Sequence, residues 1–115
     1  MITSTAMQAH VLTNSDLTTV RADRSGPLTV RFEGALDALT VSELREVIAD
    51  VLAERPSDVV VDLGLVTLLD SSGVGAIVSL FKRLKAQGGA MRLTGAHGQP
   101  LAVLELLKLD AVMGC

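Results

Sequence analysis

The sequence predicts a single α/β domain, built on a mixed sheet of four or five strands with helices mainly on one face. Three observations carry this reading. The run Val59-Val60-Val61-Asp62-Leu63 is short, β-branched and nearly all apolar, as a central parallel strand is. Leu28, Val30 and Phe32 alternate with Thr29, Arg31 and Glu33, the period of two of a strand with one buried face. Stretches of helical periodicity lie on either side of the apolar run. A chain of 115 residues suits one domain, since that size buries about two thirds of the surface its unfolded form exposes.

Taken in order, residues 1–15 are mixed and non-periodic and read as a flexible N-terminal arm, with residues 16–115 forming the domain. Leu17 to Ala22 reads as a short strand. Arg24-Ser25-Gly26-Pro27 is a turn signal, so this strand and Leu28–Glu33 form an antiparallel hairpin. Gly34 and Asp37 end the second strand. Thr40 is then an N-cap, with Glu43 placed to close a capping box. Leu44, Val47, Ile48, Val51 and Leu52 follow at helical spacing, and Pro56 stops that helix.

After the apolar strand, a second helix carries Val74, Ile77, Val78, Phe81 and Leu84 on its inner face. Lys82, Arg83 and Lys85 crowd its C-terminal half, where cations complement the helix dipole, and Gln87-Gly88-Gly89 ends it. Ala90–Thr94 is the next strand and Gly95–Gln99 a loop. Pro100 is suited to open a third helix running through Lys108, and Ala111-Val112-Met113 reads as a last short strand. The order is ββαβαβα(β). Right-handed crossovers moving one way along a sheet place their helices on the same face.

Composition narrows the function classes. The net charge is −3 and the basic residues are scattered, so no basic stripe marks a nucleic-acid partner. Without Trp or Tyr there is no stacking platform for single strands. Cys115 is the single cysteine, and His10 and His97 lie too far apart in sequence to build a zinc site with it. No metal or other cofactor is expected. No apolar stretch approaches the ~20 residues of a membrane helix, so no membrane insertion is expected. Met1-Ile2-Thr3-Ser4-Thr5 lacks the features of a signal peptide, and a cytoplasmic protein is the expectation.

Asp70-Ser71-Ser72-Gly73 is the most informative segment. It joins the apolar strand to the second helix, which places two hydroxyls at a helix start, beside unpaired N–H groups and the positive dipole end. As a hydrolase nucleophile elbow it lacks the glycine two residues before the serine. Gly73-Val74-Gly75 sits where a dinucleotide fingerprint would, but Val78 occupies the third glycine position and no Gly-Lys-Ser/Thr is present. Catalysis is therefore not expected. Asp37 and Asp70 both follow strands that share a rim if they are neighbours. Asp62 lies within its strand and reads as structural. Two carboxylates without phosphate-binding machinery make a poor metal site. His97, in Gly95-Ala96-His97-Gly98, reads as a solvated loop residue. Leu101, Val103, Leu104, Leu106, Leu107 and Leu109 exceed one narrow stripe. Core packing is the favoured reading of them, and an apolar flank kept for a partner is the alternative.

Three stretches together resemble the STAS domain, specifically the anti-sigma factor antagonists of bacterial partner-switching systems. Phe32-Glu33-Gly34-Ala35-Leu36-Asp37 is similar to the family's strand ending in G-x-L-D. The stretch from Val59 through Leu69-Asp70-Ser71-Ser72-Gly73-Val74-Gly75 resembles its central strand and D-S-[ST]-G-x-G switch. Gly88-Gly89-Ala90-Met91-Arg92-Leu93 resembles its next strand.

The resemblance implies a STAS-like fold and a protein-binding function. The unphosphorylated antagonist would bind an anti-sigma factor that is also an ATP-dependent serine kinase of the GHKL type, freeing the sigma factor. Phosphorylation of Ser71 would end binding, and a PP2C-type phosphatase would restore it. Asp37, Asp70, Ser71, Ser72, Gly73, Val74 and Gly75 are the implied partner-binding residues. Two alternatives share the fold: a structural STAS subunit of a membrane transport complex, and a partner-switching regulator of a target other than a sigma factor. Family members usually carry a further helix after the last strand. Its lack here leads to the expectation of one uncovered sheet flank, or of a helix supplied by a partner or a neighbouring copy, in a monomer or weak homodimer.

Overall fold

The computed structural model describes residues 2–3, 8–11, 18–21 and 28–114. Among them, six strands form one sheet in the order β1 (Ile2–Thr3), β2 (Gln8–Val11), β3 (Thr18–Arg21), β4 (Leu28–Leu36), β5 (Asp58–Leu69) and β6 (Ala90–Thr94). The pairings from β1 to β4 are antiparallel, and those of β4 with β5 and β5 with β6 are parallel. The α/β class and mixed sheet agree with the sequence reading, but the strand count is six rather than four or five. The added strands, β1 and β2, fall within the stretch read as an arm and are too short for a period of two to show. The predicted β3–β4 hairpin forms, while its turn at Arg24–Pro27 lies outside the described residues.

Four helices complete the fold: α1 (Val41–Ala53), α2 (Ser71–Ala86), α3 (Gly98–Leu106) and α4 (Leu109–Met113). One core draws on all of them. Leu28, Val30, Phe32 and Leu36 of β4 and Val59, Val61 and Leu63 of β5 are buried with Leu44, Val47, Ile48, Val51 and Leu52 of α1. The alternate strand positions Thr29, Arg31, Val60, Asp62 and Arg92 are half-buried or exposed, so the sheet has one covered and one open face. On the open face the Arg31 Nε donates to Asp62 Oδ2 at 3.2 Å, and Gly64 N donates to Asp62 Oδ1 at 2.8 Å. Asp62 is thus a structural carboxylate, as its position within a strand suggests.

β5 runs six residues past the predicted Leu63. Two register shifts against β4, between Arg31 and Glu33 and between Gly34 and Ala35, each place an extra β5 residue in the ladder. Inward-facing positions therefore change from every second residue to Leu63, Val66 and Leu69. That spacing does not read as a strand in sequence, which hides the strand's second half.

The first helix follows prediction in extent, buried face and N-cap position, but not in the capping bond. Thr40 makes no side-chain cap. Its hydroxyl instead donates to Ala35 O at 2.9 Å and accepts from Asp37 N at 3.0 Å, because the tight turn after β4 needs those partners. In α2 the buried stripe is Gly73, Val74, Ala76, Ile77, Leu80 and Leu84, with Val78 and Phe81 only partly covered. The stripe is rotated towards Gly73 relative to prediction. Phe81 sits at its edge, where Lys85 Nζ lies 5.3 Å from the ring centroid.

The C-terminal region differs most. The third helix starts at Gly98 and ends before Lys108, whose φ of 61° turns the chain into α4. Ala111-Val112-Met113 is helical rather than a strand, and Met113 is buried. The short helix packs against α3 and β6, so helical cover exists after the last strand. Only Pro100 and Leu104 of α3 are buried. The leucine-rich segment is divided: Leu104 is in the core with Val103 and Leu109 packed against it, as the favoured reading has it, while Leu106 at 81% and Leu107 at 50% exposure form an apolar flank.

Candidate functional site

The parallel register pairs Leu36 with Leu69 at the C-terminal ends of β4 and β5. The next residue on each strand is an aspartate, and Asp70 N donates to Leu36 O at 3.2 Å. The structure therefore brings Asp37 and Asp70 to one rim of the sheet.

Each aspartate holds its own turn. Asp37 Oδ1 accepts from Leu39 N at 2.9 Å and Thr40 N at 3.2 Å. Asp70 is the N-cap of α2, and its Oδ1 accepts from Ser72 N at 2.8 Å and Gly73 N at 3.2 Å. Val74 N donates to Asp70 O at 2.9 Å. The Asp70 carboxylate thus already occupies two of the first-turn N–H groups that would otherwise attract an added anion.

Ser71 is the first residue of α2 and is exposed. Its hydroxyl has no hydrogen-bond partner among the described residues, so it is presented to whatever approaches the rim. Ser72 is half-buried, Gly75 exposed, and Val74 9% exposed. Gly73 and Val74 both belong to the buried stripe of α2, and Gly73 packs where the helix meets the end of β4.

A groove of about 450 Å3 passes this point, lined by Leu69, Val74, Val78, Val103, Leu106 and Leu107 together with Asp70, Ser71 and Gly75. Its walls come from α2 and α3, and its lining is mostly apolar. Leu39, on the turn that holds Asp37, is 90% exposed. An exposed hydroxyl, two carboxylates and uncovered leucines form an open surface rather than an enclosed pocket of the kind that takes a small substrate. Among the described residues, no group of three His, Cys, Asp or Glu is placed to hold a metal ion, and no helix is long and apolar enough to cross a membrane.

Two residues outside the predicted set tie the chain after β6 to β5. Gln99 donates from Nε2 to Leu69 O at 2.9 Å and accepts from Leu69 N at Oε1 at 2.8 Å. His97, exposed as expected, is not merely solvated, since its Nε2 lies 3.0 Å from Gly64 O. A carbonyl only accepts, so Nε2 carries the proton in this contact. A signal was available in the unequal lengths of two neighbouring strands followed by a loop with polar side chains, but it required knowing that β5 continues to Leu69.

The comparisons with known proteins agree with the fold. A family model described as the STAS domain matches residues 18–115. The anti-sigma-B factor antagonist of Bacillus subtilis (strain 168) is 30% identical over 84 residues, covering 73% of this chain and 76% of that protein. A crystal structure of an anti-sigma factor antagonist from Mycobacterium paratuberculosis superposes with a TM-score of 0.73 at 24% identity, covering 90% of this chain and 87% of that one. The Bacillus cell fate determinant SpoIIAA in its phosphorylated form superposes with a TM-score of 0.62 at 21% identity, covering 92% and 86%.

Proposed function

Because this chain belongs to the STAS domain family, we propose that it is an anti-sigma factor antagonist whose binding is switched by phosphorylation of Ser71. Residues 16–115 are the binding unit, and the rim at Asp37, Asp70 and Ser71 with the adjoining groove is the partner surface. The partner in this reading is an anti-sigma factor that is also a GHKL-type serine kinase, and a PP2C-type phosphatase reverses the modification. The relatives named as anti-sigma-B factor antagonists support the class of partner.

The observation that carries the switch is the exposed Ser71 hydroxyl on the residue after the Asp70 cap. A phosphate there adds roughly −1.5 to −2 charges. The Ser72 and Gly73 N–H groups are already held by the Asp70 carboxylate, so they offer the phosphate no free donors. The added charge therefore stays at the surface, beside Asp70 and on the rim shared with Asp37. Against a partner shaped for a neutral hydroxyl, like-charge juxtaposition and desolvation cost several kcal/mol. Turning a complex from mostly bound to mostly free takes about 5.5 kcal/mol. One phosphate at the interface centre can supply this without refolding the domain.

The test is to incubate the full chain with ATP and the serine-kinase anti-sigma factor of its own cells, then map the modification and measure binding. The expected product is heavier by about 80 Da, one phosphoryl group, on Ser71, and no longer binds the kinase. Absence of phosphate at Ser71, in this assay and in protein isolated from resting and stressed cells, would leave the constitutive structural subunit as the better reading.

A further inference from the structure

β5 is longer than its neighbour. Its pairing with β6 ends at Asp62 opposite Thr94, while β5 continues to Leu69. Among the described residues, the overhang from Gly64 to Leu69 thus leaves backbone polar groups on the β6 side without a strand partner. Leu69 is fully buried, and a buried backbone group left unpaired is costly.

The side chain of Gln99 meets that need. Its amide donates to Leu69 O and accepts from Leu69 N, at 2.9 and 2.8 Å, the pair of bonds that a residue of an antiparallel strand would make. His97 serves the other end of the overhang through Gly64 O. Both residues lie just before or within the first turn of α3, so these contacts moor the helix start to β5. Val103 and Leu106, further along α3, and Leu107 at its C-cap form one wall of the groove beside Ser71. Leu69 itself lines the groove and immediately precedes the Asp70 cap. The rest of α3 is held by packing, with Pro100 and Leu104 buried and Val103 set against the core, so Gln99 and His97 supply the polar contacts that fix its first turn.

We propose that Gln99 is a positioning residue for partner recognition: by pairing with the Leu69 backbone it holds α3 at the spacing from α2 that the partner requires. The proposal rests on the reading of the Ser71 rim as the partner surface. Gln99 acts through Leu69 and α3 and need not touch the partner.

The test uses the full chain and Gln99→Met, which keeps an unbranched side chain of similar volume but loses both hydrogen bonds. Hydrogen exchange on the free proteins comes first. The Leu69 amide and the amides of α3 in Gln99→Met are expected to exchange about tenfold faster or more, with α1 unchanged. Unchanged rates at Leu69 and α3 overturn the proposal whatever the partner does. The second measurement is affinity for the serine-kinase anti-sigma factor used above. Gln99→Met is expected to bind about tenfold more weakly than wild type while its thermal midpoint moves by only a few degrees. Wild-type binding with unchanged affinity in Gln99→Met overturns this proposal alone. Failure of wild type and Ser71→Ala to bind at all overturns the functional reading, and this inference with it.

Discussion

A Cβ on Gly73 would stand 2.4 Å from the Leu36 carbonyl oxygen and 2.9 Å from Leu36 Cβ. The first turn of α2 therefore rests directly on the end of β4, and this contact fixes where Ser71 is presented. Gly73→Ala forces backbone apart and is predicted to destabilise the chain by about 1–3 kcal/mol. Gly75, two residues on, would place a Cβ with nothing within 4 Å. Gly75→Ala is predicted to stabilise by about 0.5–1 kcal/mol through helix propensity. Urea unfolding of both variants checks the contrast, and equal midpoints would refute the close approach.

The Asp70 carboxylate both caps α2 and lies at its positive end. Asp70→Ala is predicted to lose about 1 kcal/mol, and Asp70→Asn only a fraction of that, since an amide oxygen still accepts from Ser72 N and Gly73 N. Denaturant midpoints measured at neutral pH test this, and identical losses in the two variants would argue against capping.

Binding should separate the two Ser71 variants sharply. Ser71→Ala is predicted to remain competent for the kinase partner, while Ser71→Asp binds at least about a hundredfold more weakly, as a like-charge penalty of several kcal/mol implies. Calorimetric titration decides it. Equal affinities would sink the switch while leaving the fold untouched.

Neighbouring leucines on α3 should behave oppositely. Leu104 is fully buried, and Leu104→Ala is predicted to cost about 2–5 kcal/mol. Leu106 is 81% exposed, and Leu106→Ser should change stability by no more than about 0.5 kcal/mol. If the groove receives the partner, the serine variant loses affinity without losing stability. A stable Leu106→Ser with wild-type affinity would remove this part of α3 from the interface.

The contrast on α3 shows where sequence reasoning runs out. Periodicity located α1 because Leu44, Val47, Ile48, Val51 and Leu52 form a single stripe, and β6 because glycines mark its entry. The G-x-L-D and D-S-S-G segments placed two aspartates on strand ends, and the parallel register joined them. A segment apolar on nearly every side gives no stripe, so which leucines are covered depends on how far the sheet extends beneath the helix. The second half of β5 was hidden for a related reason, because two bulges change the spacing of inward residues. Gln99 was invisible because its role depends on that hidden half. Thr40 carried a capping signature that was outweighed by the polar needs of the preceding turn.

The placing of β5 has a kinetic consequence. Val59 to Asp62 have parallel partners on both sides, Leu28–Arg31 in β4 and Met91–Thr94 in β6. Parallel neighbours cannot be joined by a tight turn, so each ladder forms only after a helical crossover has closed. The β3–β4 hairpin is local by comparison and carries little of the barrier. Refolding should therefore be limited by gathering both crossovers around the middle of β5. Val61→Ala is predicted to slow refolding in stopped-flow experiments, whereas Leu104→Ala mainly hastens unfolding. The strand that presents the rim is, on this view, also the axis about which the chain assembles.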